Sequence, residues 1–551
     1  MNIDRRIAAG RARLGSWRRK VALAAVAATA AASLTACGSA SSGASADGEL
    51  TFLLDSLGNS WVPNGASISS FQGNVFSQIY DKLVYVDDQG EISPWVAEKW
   101  ENNEDYTSFT LHLKKGVTFS NGDPLDAAAV VANLDYWAKG QPDQGIAPIS
   151  LFPKTFAGAK AVDATTVQVS FSAPTLGFIP TLGYAGSALF APKAIAGTAE
   201  EQAELSTNYG SGPYVVKSWK ADDNVVLEKR DDYDWGPEAL GNTGPAKIEQ
   251  ITYKVSPDAA VRTAAVQSGQ AQVAYNPTPQ QISDLKGQGF SVHTPVYLGF
   301  AFGWALNTKT AVFKDLKVRQ AVQHGIDRGE IIDTVYTSDW KPATSFFNDT
   351  VPGVSDQSAE FGYDPEAAAK LLADAGYAKG ADGILAKGGQ KLEFTLYSNP
   401  YLPTSKQVDQ LIATQLGKLG FKVSVQTYDV ITYGEKITVG APNVAAYEVT
   451  RSIGDASTAA NVFTDADSGE NWFGIGEADA TINKLRDSIR VATDPTRRDA
   501  DLAELQRHVL EQAYYVPITQ IVQRPLLASP DLKGVQTDST AFAKFAAATI
   551  Q

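Results

Sequence analysis

The sequence predicts a mixed α/β or α+β protein of two or more lobes, and three observations carry that reading. At 551 residues the chain is longer than a single hydrophobic core organises. Strand-like and helix-like stretches are mixed along it with no fixed repeat period, which argues against a solenoid or a bundle. Its 44% apolar and 20% charged residues describe an ordinary globular chain able to bury a large core.

The elements follow in order. "LTFLLD", from Leu50, reads as the first strand. "TSFTLHLKKGVTFSNGDPL", Thr107 to Leu125, alternates apolar and polar residues and carries Asn121-Gly122, a tight-turn pair. A helix is predicted through "DAAAVVANLDYWAKG", with Asp126 as its N-cap and Gly140 past its end. "GSGPY", Gly210 to Tyr214, is followed by strand-like residues and by no Gly-Lys-Ser/Thr, so it reads as a packed glycine turn rather than a phosphate loop. "KDLKVRQAVQ", Lys314 to Gln323, reads as an amphipathic helix: Leu316, Val318 and Val322 face inward and the cations snorkel. In "YDPEAAAKLLADAGY", Asp364 caps, Pro365 takes the first helical position and Gly376 closes. "TDPTRRDADLAELQRHVLEQ" repeats the device with Asp494 and Pro495, and the strand-like "YYVPITQIVQR" follows.

The N-terminus has the build of an export signal. Arg5, Arg6, Arg11, Arg13, Arg18, Arg19 and Lys20 form a basic head. Val21 to Ala36 is uncharged, too short and too alanine-rich for a spanning helix. The chain's single cysteine, Cys37, ends "LTAC", which resembles a bacterial lipobox: cleavage before the cysteine and a diacylglyceryl group on its thiol. One acyl chain holds only marginally, so a two-chain modification is what stable anchoring requires. The small, polar residues 37–48 then form a flexible tether. Arg18-Arg19 also hints at twin-arginine export.

Composition narrows the chemistry. Residues 1–36 hold seven of the 47 basic and one of the 61 acidic residues, so the mature chain carries a net charge of about −20. So acidic a surface disfavours nucleic acid and anionic lipid. One cysteine rules out an intramolecular disulfide. Four histidines (His112, His293, His324, His508), no two at i, i+4 spacing, leave little material for a metal site. No metal or cofactor is expected, and Gly-x-Ser-x-Gly and His-Glu-x-x-His are absent.

One long stretch, "ISPWVAEKWENNEDYTSFTLHLKKGVTFSNGDPLDAAAVVANLDYW" (Ile92 to Trp137), resembles the signature region of bacterial extracellular solute-binding proteins of family 5, the dipeptide and oligopeptide receptors of importers. "GSGPYVV", "EKRDDYDWG" (Glu228 to Gly236), "LNTKTAVFKDLKVRQAVQHGIDRGEII" (Leu306 to Ile332) and the Asp364 helix continue the resemblance in the family's order. "VQSGQAQVAY" departs from it, with Gln270 and Gln272 where the family carries an acidic pair, at positions read as structural.

The resemblance implies an α/β, two-lobed periplasmic-binding-protein clamshell that closes about a hinge, its first lobe carrying an extra α+β subdomain. Residues 49–75, 205–298 and 513–551 would form the first lobe, 76–204 the extra subdomain and 299–512 the second lobe. The crossings would fall near "VYLGFAFGWALNT" (Val296 to Thr308) and after Ala513. Asp455, in "YEVTRSIGDAST", matches the position at which peptide-binding members pair a carboxylate with the ligand's α-amino group. Arg451 would hold a ligand carboxylate or partner Asp455. Trp61, Trp304 and Trp472 are the aromatic candidates for an apolar cleft.

The expected protein is a monomeric, lipid-anchored receptor on the outer face of the cytoplasmic membrane. It would capture a peptide or peptide-like solute and hand it to ABC permease subunits and their ATPases, without chemistry of its own. The alternatives are the same receptor for a modified sugar, opine or siderophore-like solute, and a surface-anchored hydrolase with paired carboxylates. Nickel is disfavoured by the shortage of histidine.

Overall fold

A computed structural model describes residues 48–551 except 59, 67–70, 150–151, 401, 403, 438–440, 450, 454, 456–470, 476–477 and 523. Cys37 and the residues expected to form the signal and most of the tether lie outside the described residues.

The strand Glu49–Leu54 buries Leu50, Phe52 and Leu54 and runs parallel to Gln250–Val255 on one side and Val273–Tyr275 on the other. These three are the middle of a seven-stranded mixed sheet. Asn224–Lys229 and Tyr214–Lys220 extend it at one edge, and Leu526–Ala528 and Ser291–His293 at the other. Gln272 is buried beside this sheet, where its side-chain oxygen accepts from the Thr51 amide at 2.9 Å. Its role is thus structural, as expected.

Between the first and later strands of that sheet the chain builds a separate four-stranded antiparallel sheet. It contains Ala97–Asn102, Ser108–Leu113, Thr166–Phe171 and Phe156–Asp163. Packed on it is the helix Ala127–Lys139, whose cap Asp126 accepts from the Ala129 amide and whose end is Gly140. The Asn121-Gly122 turn forms as predicted: Gly122 has φ +85° and its amide reaches the Phe119 carbonyl. The "GSGPY" glycines answer to close backbone approach. A Cβ at Gly210 would lie 1.9 Å from the Ile79 carbonyl oxygen, and one at Gly212 would lie 2.6 Å from that of Gln78.

The remaining sheet joins Ala446–Val449, Phe302–Leu306 and Tyr515–Thr519. Beside it the parallel strands Glu393–Ser398 and Lys422–Thr427 are linked through the helix Ser405–Lys418. A second apolar core forms here around Trp304, Val318, Val322 and Leu416. The helices Pro365–Asp374 and Pro495–Glu511 begin at their predicted caps, Asp364 and Asp494.

Three expectations need correction. Tyr515–Thr519 pairs with Phe302–Leu306, so the second crossing falls within the strand-like run after Ala513, beyond Thr519, and the segment returning to the first sheet begins there rather than at residue 513. The boundary after residue 75 would cut the helix Gln72–Ile79, so the inserted unit begins beyond it. In the helix Leu316–His324, Arg319 does not snorkel: it is 4% exposed. Its guanidinium donates to the carbonyls of Phe313, Lys314 and Gln512 and lies over the Tyr514 ring. Those carbonyls, at the entry to its own helix and the end of Pro495–Glu511, offer a buried cation acceptors that water would otherwise supply.

Candidate functional site

The crossing near Val296 positions the site. Beyond Val449 the chain continues alongside it: Phe300 donates to the Arg451 carbonyl, Ile453 donates to the Leu298 carbonyl, and Gly299 bridges Ser452. Gly299 is required by this approach, because a Cβ there would lie 2.3 Å from the Arg451 carbonyl oxygen. Two residues further, Asp455 lines a cavity of about 320 Å³, at the small end of ligand sites. One wall comes from the inserted unit and its vicinity, with Ile92, Trp100 and Ile179. The other comes from Leu298, Ile453 and Pro495. Asp455 is the one carboxylate among the described lining residues, and Arg498 is the one cation.

Those two charges meet. Arg498 Nη1 stands 3.4 Å from Asp455 Oδ2, with side chains 16% and 11% exposed. Arg498 sits in the first turn of Pro495–Glu511, so the Asp494-Pro495 start of that helix sets where its guanidinium enters. Chemically, a mostly apolar cavity with one ion pair at its wall can hold a small solute whose apolar body carries a charge.

A second, smaller cavity of about 40 Å³ lies at the other crossing, among Tyr275, Phe302, Tyr336, Trp340, Leu402 and Arg524. Arg524 is buried, donates to the Thr540 carbonyl and stacks 3.9 Å over Phe542. Its φ of +54° is unusual for a residue with a side chain and is imposed where the chain turns back toward Leu526.

A buried carboxyl pair supports the chain next to this cavity. Glu448 accepts from the Asn399 amide at 2.8 Å and from the Ser405 hydroxyl, and Asp409 accepts from the Ser398 hydroxyl at 2.7 Å. Burial pushes both carboxyls up, and Glu448 is raised further by the neighbouring Asp409 charge. Each carboxyl therefore holds its proton more tightly than a free one, as two close carboxyls in a dry site do. The pair ties together the two ends of the connection from Ser398 to Ser405, which contains Leu402.

The comparisons with known proteins bear on this geometry. Residues 91–471 match the model of the middle region of bacterial extracellular solute-binding proteins, family 5. The chain belongs to that family. Over 374 residues this family 5 protein is 28% identical to the dipeptide-binding protein of Escherichia coli strain K12, covering 64% of this chain and 66% of the relative, a little under two thirds of its length. Its structure matches NikA from Brucella suis, solved with Fe(III)-EDTA, at a TM-score of 0.77 and 26% identity, covering 92% of this chain and all of that one. The periplasmic binding protein DppA from Helicobacter pylori, solved with the peptide STSA, matches at 0.74 over 91% of this chain and 98% of its own, with 21% identity. The two-lobed fold of these proteins is therefore the fold of this one.

Of the residues singled out in the sequence, Asp455 lies in the larger cavity and Arg451 on the strand extension leading to it. Trp472 is buried edge-on against Phe300, 5.0 Å away, in the aromatic cluster at the first crossing. Trp61 packs between Phe76 and Trp219 in the core beneath the first sheet. Trp304 is fully buried on the strand position facing Glu448. Of these five residues only Asp455 lines either of the two cavities; Arg451, Trp61, Trp304 and Trp472 line neither. Arg498 and Trp100 were missed. Arg498 follows a helix-start signal that fully accounts for its neighbours, and nothing in spacing ties it to Asp455, 43 residues earlier.

Among the described residues no group of three or more His, Cys, Asp or Glu side chains could hold a metal ion. No described helix is long and apolar enough to cross a membrane.

Proposed function

We propose that this family 5 protein is the receptor of an ABC importer, anchored through a lipid on Cys37, that captures a short peptide or peptide-like solute between its lobes. It releases the solute to the permease and does no chemistry of its own. The observation that carries this reading is Asp455: a carboxylate in an apolar cavity walled by both the inserted unit and the second lobe. Closure around an ammonium there would bring the walls together on the apolar part of the solute. The names of the relatives, a dipeptide-binding protein among them, support a peptide. The single carboxylate of the described lining favours binding over hydrolysis by an acid pair. A second reading, the same receptor tuned to a non-peptide solute such as a siderophore-like chelate, draws on the Fe(III)-EDTA complex of the Brucella protein.

The test is Asp455→Ala measured by calorimetric titration against a peptide and its N-acetylated form. The free amine should lose at least about tenfold in affinity and the acetylated form little, since charge-assisted contacts are the strong ones. Equal losses would remove the charge-pair role. For the anchor, Cys37→Ala should abolish lipid labelling and release the protein from the membrane fraction. Unchanged retention would refute it.

A further inference from the structure

Arg498 holds two carboxylates unequally. Its Nε and Nη2 both reach Asp499 Oδ1, at 3.1 and 3.0 Å, while a single Nη1 approaches Asp455 at 3.4 Å. Asp499 is the wetter partner, with its side chain 40% exposed against 11% for Asp455. The guanidinium is therefore secured at its far side and leans toward the cavity with the contact it can most easily give up.

We propose that Arg498 is a displaceable counter-ion for Asp455. Before a solute enters, it offsets part of the charge of a carboxylate whose side chain is only 11% exposed. A solute bearing a primary amine beside a bulky apolar group takes Asp455 in its place, and Arg498 remains on Asp499. An ammonium is compact and carries three donors, so it can approach Asp455 closer than the leaning guanidinium does. Ile92, Trp100, Ile179 and Pro180, all lining the same cavity, receive the apolar group. The inference rests on the reading of Asp455 as a solute contact, and adds the chemistry of the solute end that enters.

Titration calorimetry on the native protein and on Arg498→Gln, with Leu-Ala-Ala, its N-acetylated form and Gly-Ala-Ala as probes, tests it. Removing the competitor should tighten Leu-Ala-Ala about fivefold, because the ammonium no longer has to displace the long Arg498 contact. N-acetylated binding should not change, and Gly-Ala-Ala should bind less tightly than Leu-Ala-Ala to both proteins. Asp499→Asn provides the opposite arm. It leaves Arg498 to Asp455 alone and should weaken Leu-Ala-Ala several-fold, which no general loss of folding in Arg498→Gln can mimic. Unchanged or weaker Leu-Ala-Ala binding to Arg498→Gln, with Asp499→Asn also neutral, overturns the displacement mechanism while leaving the peptide reading in place. If native protein binds none of the three probes, the peptide reading falls and this inference falls with it.

Discussion

Replacing Asp81 with Asn should change how stability depends on pH, by an amount the surroundings of Asp81 set. Asp81 is fully buried where the inserted unit meets the first sheet. Tyr233 donates its hydroxyl to one carboxylate oxygen at 3.1 Å, and Trp235 donates its ring N–H to the other at 2.8 Å. Burial outweighs these hydrogen bonds and the Arg230 charge, and pushes the carboxyl from 3.8 up to about 6. Because the folded-state value lies above the unfolded one, the group's contribution is fully present below about pH 3.8 and is lost as pH rises through about 6. Two units at about 1.4 kcal/mol each make that loss about 3 kcal/mol. Asn fits the same place, with its oxygen accepting from Trp235 and its amide donating to the Tyr233 hydroxyl. Urea unfolding of both proteins from pH 4 to pH 8 is the assay. The stability of Asp81→Asn relative to the native chain should rise by about 2.5 kcal/mol across that range. A difference independent of pH would refute the account of this buried carboxyl.

Three further outcomes are expected. Glu448→Gln should likewise gain stability over the native protein as pH rises, since burial and Asp409 hold the native carboxyl up; parallel pH profiles in urea would contradict that upward push. Gly210→Ala should cost about 3 kcal/mol or prevent accumulation of folded protein, because its Cβ would meet the Ile79 backbone oxygen at 1.9 Å; an unchanged urea midpoint would show that this contact relaxes freely. Arg319→Met should cost about 3 to 5 kcal/mol in the same assay, since three inward carbonyls lose a charged donor.

What was legible in the sequence follows the range of each interaction. Helix starts at Asp126, Asp364 and Asp494 were readable because the cap and the amide it accepts from lie within three residues of each other. The order of strands in the first sheet was not readable locally: Leu526–Ala528 inserts between Val273–Tyr275 and Ser291–His293, and only the resemblance implied that the chain returns. Arg319 was misjudged because the same alkyl stem and charge suit either a snorkelling cation or a buried clamp, and the deciding acceptor, the Gln512 carbonyl, lies 193 residues away. At the site, Asp455 could be aligned to a motif, whereas Arg498 is joined to it only through the fold. For Trp61 and Trp304, position near a predicted crossing or loop carried no information about which way the ring faces.

The central claim is that the protein binds a peptide-like solute without turning it over. The most direct test is thermal unfolding of the protein against peptides of graded length and a set of non-peptide solutes, with each mixture assayed afterwards for breakdown. A peptide at about a hundred times its dissociation constant should add about 2.7 kcal/mol of stability, confined to a narrow range of lengths, and should be recovered intact. Silence toward every peptide together with a shift from another solute class would contradict the proposed ligand, and cleavage of any bound peptide would contradict the receptor itself.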